Sequence, residues 1–147
     1  MEAAHESIVQ RYNHLVDEVK DPASWAREMF AEDATFVLGN FPTSEGHEQI
    51  AAAAQGVYNL AAGLHHQGTK LHSVSSDLFV SEGTVTYTMP DGRILKPIPL
   101  VSVFELCPGT SVIQNYRAYL DVNPLFIAAG MDVTAGEDGA PTFVPRK

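Results

Sequence analysis

Apolar residues near the start of the chain recur every three to four positions. Ile8, Tyr12, Leu15, Val16 and Val19 predict an amphipathic helix over residues 6–20. Asp21 followed by Pro22 reads as an N-cap with proline in the first helical turn, opening a short helix that buries Trp25, Met29 and Phe30. The run ATFVL at 34–38 predicts a short strand, ended by the turn residues Gly39, Asn40, Phe41 and Pro42. A third helix starts near Gly46, with Glu48 favourably placed in its first turn. Its apolar stripe is Ile50, Ala53, Ala54, Val57, Leu60 and Ala61, and Gly63 is its stop. Residues 64–68, LHHQG, form the connection out of it.

The period then changes to two. Residues 70–80 lead to an expected turn at Ser81, Glu82 and Gly83, and residues 84–89 alternate threonine with apolar residues. Pro90, Asp91 and Gly92 turn the chain. Residues 94–106 form a strand whose prolines demand a bulge or an edge position. Residues 107–110 turn again, residues 111–122 form the last strand, and Pro124 ends it. The Gly- and Ala-rich residues 127–147 are expected to be a loose or pocket-closing tail after a single domain at 1–126. Three helices followed by a mostly antiparallel sheet make an α+β domain, in which a bent sheet wrapping a long helix leaves a conical hollow.

With 147 residues, 45% hydrophobic and 18% charged, the chain has globular composition and enough length for a core. Its formal net charge of -9 and lack of a basic run exclude a nucleic-acid-binding reading. No apolar stretch is long enough for a membrane helix, and the polar, acidic opening MEAAHESIVQ does not read as a signal peptide. A cytoplasmic protein is the expectation. Cys107 is the only cysteine, sits at a turn without a nearby activating base, and is taken as structural. His65, His66 and His72 lack zinc-site spacing, and HEQIA at 47–51 is not HExxH, so no metal and no other cofactor are expected.

Four segments carry a resemblance: WAREMFAEDATFVLG (25–39), EGHEQIAAA (45–53), LHHQGTKLHSV (64–74) and VSVFELCPGTSVIQNYRAYLD (101–121). Their order and spacing resemble the NTF2-like superfamily, in its SnoaL-like branch, across residues 8–126. The resemblance implies a cone of three N-terminal helices on a curved sheet. It leaves the reaction open, because the superfamily holds polyketide cyclases, ketosteroid isomerases, limonene-type epoxide hydrolases, dehydratases and binding modules.

Carried over by position, the family's pocket carboxylate at the close of the last strand corresponds to Asp121, and the histidine after the third helix to His65, with His66 one step off. Two departures count against specific reactions. The segment DATFVLGN at 33–40 has no isomerase-type aspartate after its DAT element, and residues 84–89 lack the Arg and Asp of the hydrolases.

Asn115, Arg117, Tyr119 and Asp121 share one face at period two. Within the resembling fold, that parity is expected to aim Tyr119 and Asp121 into the hollow. Asp121 is either a solvated strand end or a pocket carboxylate acting as general acid or base. Along one strand Arg117 lies about 13 Å from Asp121, too far for a direct ion pair, whereas Tyr119 lies about 6–7 Å away and could share a substrate. Arg117 is an interface cation or a pocket residue. Adjacent His65 and His66 should point to opposite sides, so one enters the pocket as a proton shuttle while the other stays wet. Asn40, Tyr12, Tyr58 and Tyr87 are candidate polar contacts, and Trp25 and Phe104 candidate apolar walls.

These residues point to a cofactor-independent acid–base enzyme for a hydrophobic oxygenated small molecule, of cyclase, isomerase or dehydratase type, with secondary metabolism as its setting. Two other readings stay open: an epoxide hydrolase using a carboxylate-activated water, and a non-catalytic binding or dimerisation module. A homodimer through the outer sheet face is also expected.

Overall fold

The structure is a computed structural model and describes residues 1–138 and 141–146. The chain opens with α1 (Glu2–His14), which runs into a π-helical turn at Leu15–Val19. Lys20 closes that turn in the left-handed region at φ 55°, its N–H reaching Leu15 O at 3.0 Å. Helix α2 (Pro22–Met29) begins as the sequence predicts, with Pro22 in its first turn and Asp21 Oδ1 accepting from Ser24 N–H at 3.3 Å.

Strand β1 (Phe30–Leu38) and the two-residue β2 (Ser44–Glu45) precede α3 (Gly46–Tyr58), and β3 (Gly63–Ser73), β4 (Leu78–Thr88), β5 (Ile98–Leu106) and β6 (Ile113–Tyr119) complete the main sheet. Its order is β2-β1-β6-β5-β4-β3. All neighbours are antiparallel except β1 and β6, which run parallel. The architecture is the α+β arrangement of helices on a curved, mostly antiparallel sheet.

Of the boundaries that differ from the sequence-based expectation, three change the course of the chain. LHHQG is not a connection but the start of β3. The chain does not turn at Ser81–Gly83; β4 runs straight through, and the reversal lies at 74–77, where Val74 N–H reaches Leu78 O at 2.9 Å. Gly83 is needed there for close approach: a Cβ on it would lie 2.2 Å from the Gln67 carbonyl oxygen, beside the irregularity between Gly68 and Lys70. Third, β5 starts only at Ile98 and lies inside the sheet, yet it tolerates Pro99. Its pairing with β6 runs from Val101 to Leu106, so Pro99 faces no partner on that side.

The expected tail contains structure. Asn123–Ala128 forms α4, and β7 (Met131–Ala135) pairs with β8 (Pro141–Pro145) as a separate two-stranded sheet. Residues 139, 140 and 147 of that tail lie outside the described residues.

Aromatic rings fill one end of the hollow. Phe79 stacks on Phe104 at 4.9 Å, Phe36 on Tyr116 at 5.1 Å, and His5 on Phe79 at 4.1 Å. His5 is buried, its Nε2 donating to Ser76 O and its Nδ1 paired with Ser73 Oγ, each at 2.8 Å, so this histidine ties α1 to the β3–β4 reversal. The opposite end of the hollow is open space.

Candidate active site

Strand parity decides which side chains reach that space. On β6, Tyr116 and Ala118 point inward, and Leu120 continues the same side. Asn115, Arg117 and Tyr119 face out. This reverses the expected parity. Asp121 is exposed beyond the strand end, its Oδ1 accepting Asn123 N–H at 3.0 Å in a turn that leads into α4. Tyr119 is 52% exposed. Arg117 donates to Glu105 Oε1 at 3.2 Å, and Asn115, bridged to Thr35, donates to Glu105 Oε2 at 2.9 Å. First Asn115 and then Arg117 hold the Glu105 carboxyl below its ordinary range. Asn40 is exposed in the turn after β1, and Phe104 belongs to the aromatic stack.

The inner part of the hollow is a compartment of about 50 Å³. Tyr12, Trp25, Tyr58, His66, Tyr87 and Tyr116 supply the polar atoms of its wall. It adjoins an apolar compartment of about 310 Å³, and the two share Phe36, Leu38 and Val57. The small residues Ala52, Ala53 and Gly56 of α3 leave that outer space free, and Phe41 and Phe126 face it from the other side. Among the described residues, no lysine or arginine lines either compartment.

The adjacent histidines separate as alternation requires. In the β3–β4 register His66 lies opposite Val85 and Leu64 opposite Tyr87, all four on the cavity wall, while His65 is exposed on the other face. His66 meets a residue that sequence reasoning missed. Asp17 accepts His66 Nδ1–H at Oδ1, 2.5 Å away, and the His66 backbone N–H at Oδ2, 2.7 Å away. Both side chains are nearly buried, 11% exposed for His66 and 7% for Asp17. With Nδ1 committed to the carboxylate, Nε2 is left as the nitrogen that can take or give a proton, and it makes no hydrogen bond among the described residues.

The π-helical turn places Asp17 there. Five residues along an ideal α-helix would set it about 140° from Tyr12, off the buried stripe. The wider turn at Leu15–Val19 brings it into the interior with Tyr12, and Lys20 Nζ anchors the turn by donating to Ala62 O at 2.9 Å.

Burial keeps the wall tyrosines protonated. It pushes Tyr58 up to about 12, with the neighbouring Trp25 opposing the shift and Asp17 adding to it. Tyr87 is raised by burial and then by Tyr116 and Asp17, and Tyr12 by burial and then by Tyr116. Tyr116 is raised by burial against the opposing hydrogen bonds of Ser102, whose Oγ is 3.0 Å from its hydroxyl, and of Tyr12. At neutral pH these phenols are hydrogen-bond donors of fixed charge. Among the described residues, no group of three His, Cys, Asp or Glu side chains is arranged to hold a metal ion.

A family model described as a SnoaL-like domain matches residues 2–89, more than half the chain. The chain belongs to the SnoaL-like family. Solved structures with the same fold support the assignment. A hypothetical protein with a ketosteroid isomerase-like fold from Catenulispora acidiphila, solved in complex with trimethylamine, superposes with TM-score 0.70 at 18% identity, covering 84% of this chain and 92% of that one. A SnoaL-like protein from Jannaschia, provisionally assigned as a polyketide cyclase, gives 0.67 at 19% identity over 87% and 92%. A SnoaL-like protein from Agrobacterium tumefaciens, provisionally assigned as an isomerase, gives 0.65 at 19% identity over 81% and 98%. No curated protein matches the sequence. At these identities the likeness is one of SnoaL-like fold. Among the described residues no helix is long and apolar enough to cross a membrane.

Proposed function

We propose that this SnoaL-like protein is a cofactor-independent acid–base enzyme for an uncharged, largely apolar molecule bearing oxygen. The observation that carries the reading is the nearly buried His66–Asp17 pair at the wall of an otherwise aromatic and aliphatic cavity. Asp17 fixes the ring so that Nε2 faces the reacting molecule and stabilises the imidazolium formed when Nε2 accepts a proton. In the proposed step the C–H bond next to a carbonyl breaks, its proton goes to Nε2, and its electron pair moves onto the carbonyl oxygen. The Tyr58 hydroxyl already donates to Val16 O, and the neutral Tyr87 hydroxyl on the same wall is suited to stabilising that oxygen. The imidazolium then returns the proton: to a different carbon in an isomerisation, to the oxygen of a second carbonyl whose carbon the enolate has attacked to form the ring C–C bond in a cyclisation, or to a departing hydroxyl, releasing water, in a dehydration. The provisional names of the Jannaschia and Agrobacterium proteins are compatible with this chemistry.

Hydrolysis by a carboxylate-activated water is supported less well, because both Asp17 oxygens are engaged by His66. A purely non-catalytic module would call for no paired titratable groups at the cavity.

The test is deuterium uptake at the acetyl methyl group of 2-acetylnaphthalene in D2O, followed by NMR. The wild-type chain should accelerate exchange above buffer. His66→Gln should lose about 10²–10⁴-fold of that rate, Asp17→Asn should lose a large part of it, and Asp121→Asn should retain it. Equal rates for wild type and His66→Gln would rule the reading out.

A further inference from the structure

Among the described residues, Trp25 Nε1 is the one buried side-chain nitrogen or oxygen without a hydrogen-bond partner. Trp25 is 1% exposed, so its indole is withdrawn from bulk solvent. Buried donors left unmade are unfavourable and rare in native proteins, and each calls for an explanation. The neighbouring Tyr58 hydroxyl donates to Val16 O at 2.7 Å. The indole lies close enough to Tyr58 to favour its phenolate, yet no hydrogen bond of normal geometry joins the two. Packing does not hide Trp25 from the site either. It forms part of the inner compartment's wall together with His66, Tyr58, Tyr87 and Tyr116.

We infer that Trp25 Nε1–H is a binding donor for an oxygen of the substrate, and that the molecule it takes is a neutral carbonyl compound with an apolar body. The inner compartment, about 50 Å³, is sized for a functional group rather than a whole molecule. The adjoining space of about 310 Å³ falls in the range of small-molecule pockets and offers only apolar walls apart from Ser44. The absence of lysine and arginine among the described residues of both linings argues against a carboxylate or phosphate on the molecule. The carbonyl enters beside Trp25 and the body rests between Phe41, Phe126 and the small residues of α3. This assignment rests on the cavity being a substrate site, but not on His66 moving a proton.

Trp25 is the only tryptophan in the chain, so a ¹⁵N-labelled protein gives a single indole N–H signal to follow. Two planar probes are titrated in turn: 2-acetylnaphthalene, and 2-isopropenylnaphthalene, which replaces C=O by C=CH2. The ketone should move the indole proton downfield in a saturable way and bind about two- to tenfold more tightly than the hydrocarbon. Trp25→Phe should remove that preference, read as the ratio of the two affinities. Equal indole shifts from both probes, no saturable shift from the ketone, or an unchanged ketone preference in folded Trp25→Phe would overturn the assignment. The indole titration uses the wild-type chain and so does not depend on the variant folding. His66→Gln separates the two claims. An indole shift that persists alongside His66-independent exchange removes only the acid–base reading. His66-dependent exchange without an indole shift removes only the Trp25 assignment.

Discussion

At the residue scale, the site depends on which polar groups are withdrawn from water and what each then meets. His65 and His66 are neighbours in sequence, but strand alternation leaves His65 in solvent and sets His66 against Asp17. Asp121, a plausible acid by position, ends as a turn residue on the surface. The family's positional pattern had favoured the wrong face of that strand. The plain apolar parity of Tyr116, Ala118 and Leu120 already marked the inner side. Tyr58, Tyr12, Tyr87 and Tyr116 all hold their protons more tightly folded than unfolded, chiefly through burial. Between an unfolded phenol pKa of about 10 and the folded Tyr58 value of about 12, the unfolded chain therefore binds fewer protons, and stability falls as pH rises. Urea midpoints measured from pH 8 to 11.5 should be level below pH ~10 and decline above it. Tyr58→Phe should decline less steeply, and an equal decline would show that Tyr58 contributes nothing.

At the element scale, two local departures from ideal geometry build the site. The helix over residues 6–20 was legible from its apolar spacing, but the π-helical turn was not, because the repeat of one short segment does not report a single widened turn. That turn is what moves Asp17 from the expected polar face into the interior. The second departure is at Gly83, read from sequence as a reversal because glycine after Ser and Glu is a strong turn signal. Here glycine instead permits two backbones to approach within β3–β4. Gly83→Ala should destabilise the fold by about 1–3 kcal/mol through overpacking against Gln67, read as a lower denaturant midpoint at unchanged slope. A neutral result would mean that the Gln67 carbonyl can shift freely.

At the scale of the whole molecule, the sheet separates two surfaces with different work. Its inner face holds the aromatic stack and the cavity. Its outer face carries the half-buried Val37, Val101 and Val103, the exposed Tyr119, and the Arg117–Glu105 pair. We expect a second copy to cover that face, so sedimentation at micromolar concentration should give twice the chain mass, and Tyr119→Asp should shift the species toward monomer. A wild-type monomer would refute this. The α+β class, the helix order and the Asp21 cap were determined by sequence alone, since hydrophobic period and capping chemistry are local properties. Only the tertiary structure decided that Asp17 and His66, 49 positions apart, form a nearly buried pair and that Trp25 Nε1 has no hydrogen-bond partner at the same cavity. Both depend on a widened helical turn and a strand register, which the closing of the cone sets through contacts distant in the chain.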